Sequence, residues 1–406
     1  MRLLPLLLTV FIDSFGFGLV FPMLSPLIMD PQQGILPLET SLTTRGLLFG
    51  ILVSAFCVGQ FFGGPVLGTI SDRKGRKKVL LATIGLAFLT YLMAAGAVFY
   101  QNVVVLLVAR LLGGAAASNW TIAQTIIVDG STEENKAKNF GMLGMTWGMG
   151  FIIGPFLGGK LSDPRFFLSH GLATPFVFAA LMCAINIALV WRGVKESLPE
   201  ARIAKISLLV GIEHLKKAFS HPQLKGLFLV IFLFSLGWGF FTEFIPIFLM
   251  RRLDFNVSDI ANFFAYVGIC IAFSQGVLGR FILSRFKPHQ LLPFALCALG
   301  CVVPFMVFFN EALGIYALLP FVAFFESLIH PTASTIVSNL TSKEAQGEIL
   351  GIYNSIQWAA IGICPFFSGS FVAHFPSLPP LFAGMMMLVA MIVYLRVGRK
   401  TSASPV

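Results

Sequence analysis

The chain has 406 residues, of which 57% are hydrophobic and only 11% charged, against about 25% charged in soluble globular proteins. With 43 Phe and 39 Gly, the balance is that of a helical protein embedded in lipid, where glycine lets backbones approach closely. The net charge of +10 does not mark a nucleic-acid binder, because the basic residues fall in short loops between apolar runs; anionic lipid headgroups are the partners that fit.

A spanning helix needs about 20 mostly apolar residues, and the pattern predicts twelve such segments. The first, 3–29, is too long for a signal peptide, shows no small-residue cleavage site and carries Asp13 in its middle, so it reads as a retained span. Segment 2 (46–70) runs into the stretch GTISDRKGRKK, which places six charged residues in the seven positions from Asp72 to Lys78. Segments 3 (78–99) and 4 (102–127) follow, the latter with Arg110 in ARLLGGAAA. Segment 5 (139–161) contains GFIIGPFLGG, and segment 6 (173–192) closes the first half. A polar, basic connection, 193–224, divides the chain; within it LLVGIEHLKKAF has helical periodicity suited to the membrane surface. The second half comprises segments 7 (225–250), 8 (257–283), 9 (289–309), 10 (312–338), 11 (347–373) and 12 (377–397). The predicted domains are thus an N-terminal six-helix bundle over 1–192, a cytoplasmic loop over 193–224, a C-terminal six-helix bundle over 225–400 and a tail over 401–406. The fold class is an all-α integral membrane protein of two pseudo-symmetric bundles.

Lys and Arg placement sets the orientation. With both termini and the even-to-odd loops on one side, that side holds about 21 of the 28 basic residues, which makes it cytoplasmic. The halves also echo each other. SFGFG (14–18) returns as SLGWG (235–239), STEENKAKNFG (131–141) as TSKEAQGEILG (341–351), and GPFLGG (154–159) as CPFFSG (364–369). Two halves related by a parallel repeat are a transporter layout. The six cysteines lie in apolar runs without metal-binding spacing and are expected as buried free thiols.

GTISDRKGRKK resembles the G-x-[LI]-[AS]-D-[RK]-x-G-[RK]-[RK] loop signature of the major facilitator superfamily, matching at Gly68, Asp72, Arg73, Gly75, Arg76 and Lys77. GFIIGPFLGG, with Gly150, Gly154, Pro155, Gly158 and Gly159, is similar to the segment-5 motif of that superfamily's twelve-helix drug–proton antiporters. ARLLGGAAA resembles their segment-4 motif, and FIDSFGFGLVFPMLSPLI resembles segment 1 of tetracycline-efflux-type members. The mirror of the loop signature, GRFILSRFKPH (279–289), has lost its Asp. The resemblance implies a major facilitator fold, alternating access, no cofactor and a proton gradient as energy source; a monomer is expected, and short tails with no obvious glycosylated loop point to a bacterial inner membrane.

Within that frame the loop signature reads as a cytoplasmic gate. Asp72 is expected to face the positive N-terminal end of segment 11, a contact worth roughly 0.3–2 kcal/mol, and Arg73 or Arg76 to reach Asp129. The plainer alternative is a positive-inside anchor, which accounts for the lysines better than for an aspartate. Pro155 and its glycines are expected to bend segment 5 against the other half, or simply to pack it tightly.

Ionisable side chains inside spans are costly and are functional candidates by default. Five stand out: Asp13, Arg110, Glu243, Glu326 and His330. At 1.5 Å per residue, Asp13 lies about 15 Å from the cytoplasmic end of its segment and Arg110 about 12 Å from the outer end of its own. The two are nearly level and able to pair, so Asp13 is the member that would exchange a proton. Glu326 and His330 share a helix face four residues apart. Trp147, Trp238, Phe240, Gln275, Gln357 and Trp358 complete the expected substrate cavity, where aromatic faces suit flat or cationic organic molecules. The leading expectation is proton-coupled efflux of a small organic molecule; the alternative is transport of a specific metabolite, siderophore or nutrient, inward or outward. An intramembrane enzyme is disfavoured, since the chain lacks HExxH, GxSxG and any Cys/His metal cluster.

Overall fold

The computed structural model describes residues 4–32, 34–117, 119–129, 133–162, 171–197, 209–221, 224–341 and 346–401. The side chains of several residues within these ranges, among them Asp129, Arg280 and 346–348, lie outside the description. The chain forms two compact units, Met1–Val210 with Phe255–Gly268, and Gly211–Asp254 with Ile269–Val406.

The first unit contains α1 (Leu4–Met29), α2 (Leu42–Lys74), α3 (Arg76–Phe99), α4 (Val103–Ala116), α5 (Asn119–Asp129), α6 (Glu133–Ser162) and α7 (Thr174–Gly193). Local chemistry sets several ends. Ser41 and Asn102 cap α2 and α4 by accepting from the backbone N–H of Thr44 and Val105, as short polar side chains do at helix starts. Pro175 opens α7, where no N–H is needed. The predicted fourth segment is interrupted: α4 ends at Ala116 and α5 begins at Asn119, just after the pair Gly113 and Gly114. Here α1 packs mainly on α6, α2 on α4, and α3 on α7 and α4. The apolar side chains of Leu6, Val10, Leu80, Ile84, Ile122, Ile126 and Val190 form one shared core.

Arg45 is the structural residue the sequence did not advertise. It stands in the first turn of α2 and is only 2% exposed. Its guanidinium donates to the carbonyls of Ile28 at 2.9 Å and Pro37 at 2.7 Å, with longer contacts to Asp30, Leu36 and Thr40. One planar fork thereby ties the end of α1 to the connection before α2.

The second unit contains the amphipathic α8 (Val210–Ser220), which starts at the boundary residue, then α9 (Lys225–Leu253), the later part of α10 (Val257–Phe273), α11 (Arg280–Arg285), α12 (Pro288–Phe305), α13 (Ala312–Asn339), α14 (Gln346–His374) and α15 (Leu378–Thr401). A π-helical turn, Ser274–Gly279, separates α10 from α11; such turns carry an extra residue and recur at functional sites. α8 docks through His214, whose Nδ1 lies 2.9 Å from Ser355 Oγ on α14, and through Phe219, edge-on to Phe232 of α9. Here α9 packs on α15 and α14, and α12 on α15 and α13. These are the same pairings as in the first unit: α9·α14 matches α1·α6, α9·α15 matches α1·α7, and α12·α15 matches α3·α7. The repeat read from short sequence echoes is therefore present in the packing.

Ten helical stretches are long and apolar enough to cross a membrane among the described residues. The predicted fifth and eleventh segments are also helices, α6 and α14, of 30 and 29 residues. None of the six cysteines is in a disulfide; Cys57 and Cys183 are buried as expected, while Cys270, Cys297 and Cys364 are only partly buried. Cys301 departs from that expectation and is exposed on α12, because a spanning helix can turn apolar side chains, thiols included, to lipid instead of to a core.

Candidate functional site

In the first unit the polar chain around Asp13 crosses three helices. Asn119 Nδ2, at the start of α5, donates to Asp13 Oδ1 at 3.1 Å. Its Oδ1 in turn faces the hydroxyl of Thr83 on α3, which donates to it. The break between α4 and α5 places Asn119 there, and a broken helix is tolerated at membrane depth when its polar groups are satisfied inside protein. The partner seen on Asp13 is thus an amide that sequence reasoning missed. Arg110 Nε lies 3.4 Å from the carbonyl of Leu52, and its guanidinium stands 4.4 Å from the centroid of Phe56. Tyr91 of α3 stands beside α1. Its hydroxyl fills the space beside Gly16, where a Cβ would come within 2.7 Å of it. A second buried link, Thr9 Oγ1 to Asn186 Oδ1 at 3.0 Å, joins α1 to α7.

In the second unit the expected pair is present and has company. Glu326 and His330 face each other on α13 with Oε1 and Nε2 3.9 Å apart. On the other side of the imidazole, Nδ1 lies 3.0 Å from Gln357 Nε2 and 3.1 Å from the Tyr353 hydroxyl, both on α14. An amide nitrogen only donates, so Nδ1 is the acceptor and the ring proton sits on Nε2, toward Glu326. The glutamate is buried while the histidine ring is 41% accessible. Glu326 Oε2 has no hydrogen-bond partner among the described residues. Phe234 packs edge-on to the ring at 5.4 Å, and Trp238 stacks on Phe234. Four predicted residues (Glu326, His330, Gln357 and Trp238) thus belong to one cluster, with Tyr353 and Phe234 added by the structure.

The other cavity candidates differ in their surroundings within each unit. Phe240 is buried between Phe244 and Phe382 as ordinary packing. Gln275 is exposed on the π-helical turn, Trp147 is exposed and stacked on Phe151, and Trp358 and Glu243 are half-buried on α14 and α9.

The loop signature contains an ion pair of its own. Arg76 Nη1 lies 2.9 Å from Asp72 Oδ1, with the arginine side chain buried and the aspartate partly open. Arg73 is exposed. The expected reach to Asp129 lies outside the described residues. Gly75 takes φ +101°, a backbone region that favours glycine. Gly68 meets open space.

The segment-5 motif is a contact face with α1. Gly150, Gly154 and Gly158 recur every fourth residue; a Cβ at Gly154 would lie 2.6 Å from the Phe15 carbonyl and 2.8 Å from the Leu19 nitrogen. Gly150 meets Ser14 and Phe11, and Gly158 meets Leu19. Pro155 touches Gly18 from the same face, and Gly159 faces Ala261 within the same unit. The motif thus packs α6 on α1 through Gly150, Gly154 and Gly158 and meets α10 through Gly159.

Comparison with known proteins agrees with these features. Residues 6–325 match the family model described as Major Facilitator Superfamily. The chain is 27% identical over 313 residues to the class H tetracycline resistance protein of Pasteurella multocida, covering 73% of this chain and 71% of that one. It is 27% identical over 378 residues to the quinolone resistance protein NorA of Staphylococcus aureus, covering 91% and 89%. Its fold is similar to the crystal structure of the human organic anion transporter MFSD10 (TETRAN), with a TM-score of 0.74 at 21% identity, covering 97% of this chain and 98% of that one. A loop signature closed by its own ion pair, a glycine face between α1 and α6, and two units built on one packing scheme accompany that match, and the chain belongs to the Major Facilitator Superfamily, a family of membrane transporters rather than enzymes.

Proposed function

We propose that this transporter exports a small organic molecule by alternating access, drawing on a proton gradient across a bacterial inner membrane with both termini in the cytoplasm. The likeness to tetracycline and quinolone resistance proteins supports export. The observation that carries proton coupling is the buried Glu326 carboxyl oxygen without a partner, next to an accessible histidine. A buried carboxylate with an unmet acceptor gains by taking up a proton, and the neighbouring imidazole is the accessible group through which that proton enters. Tyr353 and Gln357 hold the ring so that Nε2 points at Glu326. The aromatic pair Phe234 and Trp238 supplies a face for a flat organic substrate. In the first unit the carboxylate of Asp13 is held by Asn119 and serves as a second proton-exchange position.

Inverted vesicles carrying the protein, a respiration-driven proton gradient and a pH-quenched dye test this. A panel of lipophilic cations, antibiotics and siderophore-like acids is expected to include compounds that trigger proton release. In Glu326→Gln that release falls at least tenfold while binding of the same compound is retained. No compound-dependent release across the panel overturns export of drug-like molecules. Release of wild-type size in Glu326→Gln removes Glu326 from the coupling path and leaves Asp13→Asn as the next variant.

A further inference from the structure

The first turn of α3 has no cap from its own neighbourhood. Gly75 precedes it and has no side chain to offer. Two donors of that turn are instead met by Glu196, 120 residues from Arg76 and just beyond the end of α7. Glu196 Oε1 accepts from the Arg76 N–H at 2.8 Å, and Oε2 accepts from the Lys77 N–H at 3.2 Å. The carboxylate occupies the space a side chain at position 75 would need: a Cβ there would lie 2.6 Å from Oε2. Lys77 is held a second time, its Nζ donating to the Trp191 carbonyl at 2.8 Å. Arg76 is likewise gripped at both ends, by Glu196 at its backbone and by Asp72 at its guanidinium. A carboxylate at a helix N-terminus also meets the positive end of the helix dipole.

We propose that Glu196 is a positioning residue for the transport cycle. By capping α3 from outside, it holds the loop signature in the geometry in which Asp72 and Arg76 pair, and it fastens the start of the central connection to that signature. Glu196 is exposed, so the contact is one that water can replace, as suits a clasp made and released within a cycle. The proposal rests on membership of the transporter family and not on export of drug-like compounds.

The test uses the full-length protein in lipid nanodiscs, in a background lacking the native cysteines. Spin labels replace the exposed Lys78 and Lys216, and pulsed electron resonance reads the distance distribution without any substrate. Hydrogen exchange at the amides of Arg76 and Lys77 reads the cap itself. Glu196→Ala is expected to speed exchange at those amides about tenfold and to change the ratio of the distance populations about threefold or more. Glu196→Gln keeps an acceptor oxygen and falls between Ala and wild type; it also serves where the alanine variant fails to fold. Unchanged exchange at residues 76 and 77 overturns the cap. Faster exchange with an unaltered population ratio reduces Glu196 to a local structural contact and overturns the positioning role. Neither outcome depends on whether the compound panel finds a substrate, so a failed export assay is read separately.

Discussion

Asn119 shows what a single amide does at membrane depth. It bridges Thr83 and Asp13, so each buried polar atom it touches is satisfied by another. Replacing it with Leu leaves the Asp13 carboxylate without that donor. Interhelical hydrogen bonds of this kind are worth about 1–2 kcal/mol, so Asn119→Leu is expected to lower the thermal midpoint in detergent by a few degrees, while Asn119→Asp, which brings a second carboxylate against Asp13, costs more. Asp13 was legible in the sequence because an acid in an apolar run stands out. Asn119 was not, since an amide is common in spans and its role depends on where α4 breaks. The same holds for Tyr353: its side chain reads as one more aromatic among many, and only its distance from His330 distinguishes it.

At the level of helices, two signature glycines that look alike in sequence do different work. Gly154 has the backbone of α1 against it, whereas Gly68 has open space. Gly154→Leu must push α1 and α6 apart, and overpacking of this sort costs about 1–3 kcal/mol or more; loss of monodisperse protein on size exclusion is the expected result. Gly68→Ala removes only backbone freedom inside α2 and is expected to leave the fold as stable or up to about 1 kcal/mol more stable, read by the same thermal assay. Transport lost in that stable variant would place the need for Gly68 in another conformation of the cycle. Helix boundaries were mostly legible, because apolar runs end at charged loops and at Ser41, Asn102, Pro175 and Pro288. The interruption at Ala117 and the π-helical turn at Ser274–Gly279 were not, because both lie inside runs whose apolar character continues unbroken.

For the whole chain, composition and the run of apolar segments carried the fold class, and three short echoes carried the repeat. The unlike surroundings of two cavity candidates were not legible: Phe240 and Trp238 are two residues apart on α9, yet one packs on Phe244 and Phe382 and the other borders the histidine cluster. Helical rotation decides this, and aromatic abundance hides it. Orientation yields a direct prediction. A fluorescent protein fused after residue 401 should mature and fluoresce in a bacterial host, and alkaline phosphatase fused after Gln32 should be active, as cytoplasmic and outer positions respectively require. The reverse pattern would overturn the assignment of the basic loops to the cytoplasm.

The Arg45 fork carries a consequence of its own. Its acceptors are carbonyl oxygens, which do not titrate, and a guanidinium keeps its charge at any physiological pH. The molecule therefore separates two kinds of polar hardware. Histidine and carboxylate side chains are groups that titrate, while the knot at the end of α1 is deaf to proton activity. A machine that works between compartments of unequal acidity needs some parts that answer the difference and others that hold their shape through it, and Arg45 is of the second kind.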